Sequence, residues 1–280
     1  MCRVLFAYKR RGMDTAEIRG VQIAEALGCD SMRIADLTPE IASRYDAIIY
    51  VKFTPGPEMM EKIRRSGVKQ IVDALDEYRW RKLRSTAEFT DCYIGANFTH
   101  ALFLQHRFGR PAVELHHHHT NFDELRIPPG RTPPTLGYIA GDAHWPLNRR
   151  LISKLPYPLV TSIKRNGRSG LTDLYLSVDI GFEFRKDRNK RSLNTANKVV
   201  NFMSYGIPSV LSQETGYLEA ARHGEHCLYA QTPAEMIMLI RHLAEDPALR
   251  ARMGDAGYEA ARPFHIRNIA QKYREFLSQI

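Results

Sequence analysis

Residues 194–211, NTANKVVNFMSYGIPSVL, decide how the rest of the chain is read. Their spacing predicts a helix over 195–205 and a strand over 209–212. Gly206 suits the left-handed residue that ends a helix, and Pro208 just beyond cannot continue one. At the other end Asn194 or Thr195 can cap the helix, whose first backbone N–H groups and dipole point at whatever lies in front. Lys198 falls in the first turn, and a basic run (Arg185, Lys186, Arg188, Lys190, Arg191) precedes it. Positive charge gathered at a helix N-terminus is a ready site for a diphosphate. The same residues also suit a solvated basic face, so charge alone leaves both readings open.

Outward from this unit the chain repeats one grammar. Strands are expected over 135–139, 159–163, 174–178 and 227–230, with a helix over 217–223. Thr232-Pro233-Ala234-Glu235 reads as a capping box, and Asp246-Pro247 repeats the N-cap and first-turn proline. A last helix carries Ile266, Ile269, Ala270, Tyr273, Phe276, Leu277 and Ile280 on one apolar face that must dock on something. In the N-terminal half, strands are expected over 4–8, 47–51, 69–74, 92–95 and 112–115, with helices over 15–27, 58–66 and 98–108. Strands alternating with helices imply parallel sheets covered on both faces. Between the halves lies IPPGRTPP at 127–134, whose prolines sustain neither helix nor central strand. The expected domains are therefore 1–130 and 131–280.

Composition fits two compact domains: 280 residues, 44% hydrophobic and 25% charged, with no disordered tract. No window approaches the roughly 20 apolar residues that span a bilayer, and the start does not read as a secretory signal. Cys2, Cys29, Cys92 and Cys227 lie far apart without a C-x-x-C pair, which suits a reducing cytoplasm and gives no zinc or disulfide framework. A net charge of +9 implies attraction to an anion, whether nucleotide diphosphate, anionic lipid or nucleic acid.

The pattern N-x-x-x-K-x-x-N-x-M-x-x-G-x-P (Asn194, Lys198, Asn201, Met203, Gly206, Pro208), then ETGYLEAARHGEHCLYA and EDPALRARMGDAG, resembles the group 1-like donor-binding domain of GT-B glycosyltransferases. TLGYIAG at 135–141 and VDALD at 72–76 extend the resemblance over most of the chain. It implies an α/β fold of two Rossmann-like domains facing a cleft, the first binding an acceptor and the second a nucleotide-sugar, with the terminal helix crossing back to the first. A UDP-sugar would be the donor, with no required cofactor and no metal site. Lys198 would touch the donor phosphates, Gly141 would let the backbone approach them, and Glu219 would lie near the donor sugar and ribose. Asn194 and Asn201 join this donor set, and Lys164 and Arg165, after a strand, offer a second phosphate contact. Many retaining members carry glutamates where this chain has Asn201 and Leu193; asparagine bonds a ribose hydroxyl but supplies no carboxylate.

An inverting transferase needs a general base near the acceptor hydroxyl. Asp14 follows the first strand but also matches a capping box, Asp14-Thr15-Ala16-Glu17. Asp76 lies past a strand's carboxyl end, where parallel sheets bind ligands, and equally suits a structural pair with Arg79. His116 opens a run of four histidines, His116 to His119, that reads either as a base or as a polar loop. The acceptor is left open among a glycan, a lipid-linked saccharide met at a membrane surface, and a hydroxylated base in DNA. Two rival readings use the same fold: a non-catalytic nucleotide-sugar-binding protein, and a nucleotide-sugar epimerase that needs no acceptor.

Overall fold

The computed structural model describes residues 2–12, 15–75, 80–127, 130–162, 170–185 and 193–280. Contacts divide the chain into two units: Met1–His117 with Ser192–Thr195 and Ile266–Ile280, and His118–Arg191 with Ala196–His265.

In the first unit β1 (Val4–Tyr8), β2 (Asp30–Arg33), β3 (Ala47–Val51), β4 (Lys69–Asp73), β5 (Cys92–Gly95) and β6 (Ala112–Glu114) form one sheet in the order β2-β1-β3-β4-β5-β6. Every pairing is parallel. All residues of β1 and β3 are buried, as strands covered on both faces must be. The covering helices are α1 (Gln22–Leu27), α2 (Pro39–Ala42), α3 (Pro57–Arg64), α4 (Trp80–Thr86) and α5 (Phe98–Phe108). A π-helical turn, Ala16–Val21, runs into α1 where one continuous helix was expected. Strand β2 carries no hydrophobic alternation and pairs only with β1 at the sheet edge, so periodicity gave no sign of it.

In the second unit β7 (Leu136–Tyr138), β8 (Leu159–Thr161), β9 (Ile180–Glu183), β10 (Ser209–Ser212) and β11 (Leu228–Ala230) form a sheet ordered β11-β10-β9-β7-β8, again wholly parallel. Its helices are α6 (Trp145–Ile152), α7 (Leu171–Leu176), α8 (Asn197–Ser204), α9 (Thr215–Ala220), α10 (Pro233–Glu245) and α11 (Pro247–Ala261). The last helix, α12 (Ile266–Leu277), belongs to the first unit, where Ile269, Tyr273 and Leu277 share a core with Phe6 and Ile23.

The strand expected over 174–178 is instead α7 and the turn after it. Leu174, Leu176 and Val178 alternate like a strand, but Leu171, Leu174, Tyr175 and Val178 recur at helical spacing and pack into one core. Gly170, at φ 78°, opens that helix, and the strand begins only after Asp179. Local signals elsewhere are realised. The Thr232 hydroxyl accepts from Glu235 N at 3.1 Å, the Asp246 carboxylate accepts from Leu249 N at 2.8 Å, and Gly206 takes φ 71° at the end of α8.

Both sheets reverse direction at the same point of their topology. Counted within each unit, the strands run in the order 2-1-3-4-5-6 in the first and 2-1-3-4-5 in the second, so the chain switches sides between β1 and β3 in the first unit and between β7 and β9 in the second. Sheets of this kind bind ligands outside the carboxyl ends of the strands at that switch point.

Candidate functional site

At the switch point of the second unit, β7 leads into Gly141 and β9 ends at Glu183, followed by Phe184 and Arg185. A Cβ added at Gly141 would meet no protein atom within 4 Å, so the chain there is open to a close approach. Backbone bonds fix the other side. Asn148 both donates to Phe184 O at 2.8 Å and accepts from Phe184 N at 2.7 Å, while Arg185 N donates to the Ser212 hydroxyl at 2.7 Å.

Helix α8 is brought to this edge by the missing side chain of Gly181. A Cβ there would stand 2.5 Å from the Phe202 ring, so α8 lies closer to β9 than any larger residue permits. Gly181 and Glu183 share one face of the strand, two residues apart. Lys198 and Phe202 share one face of the helix, four apart. Seating Phe202 on Gly181 therefore carries Lys198 onto Glu183, and the Lys198 ammonium donates to Glu183 Oε1.

Arg185 completes the cluster. Its Nε donates to Glu183 Oε2 at 3.0 Å and its Nη1 to Glu214 Oε2 at 3.3 Å. The carboxylates are sealed, with side-chain exposures of 2% for Glu183 and 0% for Glu214, whereas the cations keep 19% for Lys198 and 18% for Arg185. Burial alone would raise the Glu183 pKa, but Lys198 and Arg185 outweigh it and hold the group below the usual carboxylate range. For Arg185 burial works against the charge and is outweighed by Tyr217, Glu183 and Glu214, which raise its pKa. Lys198 is lowered: burial and the charge of Arg185 prevail over Glu183 and Glu214. Two partly buried cations thus stand on two sealed anions.

In front of them, α8 begins at Asn197 with Ala196 as its N-cap and no side-chain cap bond. The N-cap residue is thus Ala196, where Asn194 or Thr195 was expected. The Asn194 carbonyl instead accepts from Asn97 Nδ2 at 2.9 Å, within the first unit. Helix α9 likewise starts without a side-chain cap, its N-cap residue Glu214 being turned to Arg185.

The other expected residues fall variously. Asn201 is buried and occupied: its Oδ1 accepts from Thr120 N and Oγ1, both at 2.8 Å, and its Nδ2 donates to Asn197 O at 2.7 Å. Glu219 is exposed on α9, while Glu214, which sequence reasoning passed over, is buried in the cluster. Asp14, Asp76, Lys164, Arg165 and residues 186–191 of the basic run lie outside the described residues. His116 pairs with Glu114 through Nε2 at 2.6 Å, and all four of His116 to His119 lie in the loop after β6 and are buried. Burial, with help from His265 and His118, pushes His119 down to about 3, so its ring is neutral at neutral pH. In the first unit, Lys9 lies 4.8 Å from the centre of the Phe53 ring at the β1/β3 switch point. No group of three or more His, Cys, Asp or Glu side chains placed to hold a metal ion occurs among the described residues, and no helix described is long and apolar enough to cross a membrane.

The chain belongs to the glycosyl transferase-like family, whose sequence model matches residues 134–275 and so takes in the whole of this cluster. No curated protein matches it by sequence. Among solved structures it is similar to Anabaena HepE in complex with UDP and glucose, at TM-score 0.79 and 11% identity over 100% of both chains. It is also similar to sucrose-phosphate synthase from Thermosynechococcus elongatus, at TM-score 0.69 and 12% identity over 99% of this chain and 100% of that one. A glycosyltransferase from Rickettsia africae gives TM-score 0.69 at 8% identity, over 99% of this chain and 98% of that one. These likenesses are of fold, and the fold is that of GT-B glycosyltransferases, with two Rossmann-like α/β units as the sequence resemblance implied.

Proposed function

We propose that this protein transfers a sugar from a nucleotide-diphosphate sugar, a UDP-sugar in the first instance, to an acceptor hydroxyl. The observation that carries this reading is the pair of partly exposed cations, Lys198 and Arg185, at the switch point of the second unit beside the uncapped start of α8. The N–H groups of a helix start, a guanidinium and an ammonium suit a diphosphate, and they suit it best where its charge grows as the sugar leaves. HepE, solved with UDP and glucose, supports the choice of uridine nucleotide.

The four charges of the cluster cancel, so the diphosphate is held by oriented donors more than by net charge, with Gly141 across the switch point giving close backbone approach. Asn201, engaged with Thr120 and Asn197, is a brace for α8 in this reading, and transfer proceeds without a carboxylate at that position. The acceptor is a hydroxyl on a glycan, a lipid-linked saccharide or a modified base, met by the first unit.

Thermal melting against UDP, GDP, CMP, dTDP and ADP, on the wild type and on Lys198→Ala, tests the reading. Ligand at 100 times its dissociation constant adds about 2.7 kcal/mol of stability. Stabilisation by one nucleotide that disappears in Lys198→Ala is the expected result. Equal stabilisation of both proteins would remove the diphosphate from this helix, and none with any nucleotide would leave only the family fold.

A further inference from the structure

The position of Lys198 at the start of α8 follows from local sequence, whereas what holds its ammonium does not. Lys198 is tethered: its ammonium is bonded to Glu183, a buried carboxylate at the end of the central strand of its sheet. We infer that Glu183 is a positioning residue, which fixes the direction of the Lys198 ammonium and keeps it protonated for the donor diphosphate. This rests on the donor reading above.

Geometry supplies the first half. Glu183 projects from a rigid strand and binds a different cation with each oxygen, Lys198 at Oε1 and Arg185 Nε at Oε2, the latter 3.0 Å away. A lysine otherwise has four rotatable bonds in its stem, and a sealed carboxylate that takes one ammonium hydrogen restricts where the other two can point. Arg185 is clamped in the same way between Glu183 and Glu214.

Charge supplies the second half. The groups facing Lys198 are Glu183 on β9, Arg185 just after it, and Glu214 at the start of α9, with Tyr217 of α9 acting on Arg185. Burial and Arg185 press Lys198 towards the neutral amine, and the Glu183 charge is the larger of the two that resist. With that charge removed, the folded-state pKa of Lys198 drops further. The ammonium persists below that pKa and is lost as pH rises through it. A neutral amine gives a diphosphate neither charge nor a charge-assisted bond.

The test is UDP affinity by calorimetry across a pH series from neutral into the alkaline range, where a lysine loses its proton. Relative to wild type, Glu183→Gln should lose at least about tenfold in affinity as pH rises. Adding Lys198→Arg to Glu183→Gln should flatten the profile, because a guanidinium does not titrate there. A Glu183→Gln profile parallel to wild type, or a slope that Lys198→Arg does not remove, overturns the inference. Should Glu183→Gln not fold, Glu183→Asp keeps the charge and shifts it by one methylene. A profile parallel to wild type at several-fold weaker affinity is then expected, and wild-type affinity overturns it. Lys198→Ala separates the two readings. Undiminished UDP binding in that variant defeats the donor site itself, whereas lost binding together with a wild-type Glu183→Gln profile defeats only the role of Glu183.

Discussion

Each unit buries an ion system, and the two differ in what they leave outside. In the first unit Arg19 and Asp73 are 1% and 0% exposed, bonded at 2.7 Å, and the guanidinium also donates to Leu115 O at 2.6 Å. Tyr273 of α12 lies over it, with its ring centre 5.8 Å away. Four parts of the unit, namely the turn before α1, the end of β4, the segment after β6 and α12, are thus tied by a closed pair. In the second unit only the anions are sealed, and both cations keep part of their surface exposed. A pair closed on both sides ties elements together; buried carboxylates under partly open cations present donors to something that arrives.

Breaking the closed pair should give the largest effect on stability. Asp73→Asn or Arg19→Met leaves an uncompensated buried charge or an unpaired polar group, which costs about 3 to 5 kcal/mol in comparable systems. Denaturant melts should show that loss, while UDP affinity of the folded protein stays within about twofold, because the pair lies in the other unit. A large change in affinity at unchanged stability would erase the contrast between the two systems.

Gly181→Ala should act on both quantities at once. The new methyl meets the Phe202 ring at 2.5 Å, and forcing such a contact costs about 1 to 3 kcal/mol. The same displacement lifts Lys198 from Glu183, so UDP affinity should fall together with stability. A destabilised variant with intact affinity would show that the register of α8 on β9 does not set the site.

A pH dependence of stability should follow from His119. Its folded-state pKa is depressed from 6.5 to about 3, so the unfolded chain binds the extra proton and stability falls as pH drops through that window. His119→Phe should remove part of that acid sensitivity in pH-dependent melts. An unchanged slope would mean that the ring takes up its proton in the folded state.

What sequence made legible was local. The helix stop at Gly206, the caps at Thr232 and Asp246, and the apolar face of α12 depend on residues within about two turns of each other. The polar edge strand β2 and the helix α7 were missed for opposite reasons: one has no hydrophobic period, and the other satisfies two. Half of the cluster was out of reach in a different way. Glu183 lies 15 residues from Lys198, and Glu214 lies 29 from Arg185, so only the sheet order, which puts β9 beside both β7 and β10, brings them together. The histidine run looked polar because its composition is, whereas its burial comes from packing against partners such as Phe264 and His265, far along the chain.

The smallest effect tests the contrast between helix starts. Helices α10 and α11 are capped by Thr232 and Asp246, while α8 and α9, at the carboxyl edge of the sheet, begin without a side-chain cap. A cap satisfies backbone donors that a ligand would otherwise use. Thr232→Ala removes one such bond, at 3.1 Å to Glu235 N, and should cost about 1 kcal/mol with no change in UDP affinity. Binding of UDP should slow amide exchange at Asn197, Lys198 and Val199, the first turn of α8, and leave the first turn of α10 unaltered. If exchange slows equally at both, the open start of α8 is a matter of local sequence, and its N–H groups are not kept for a ligand.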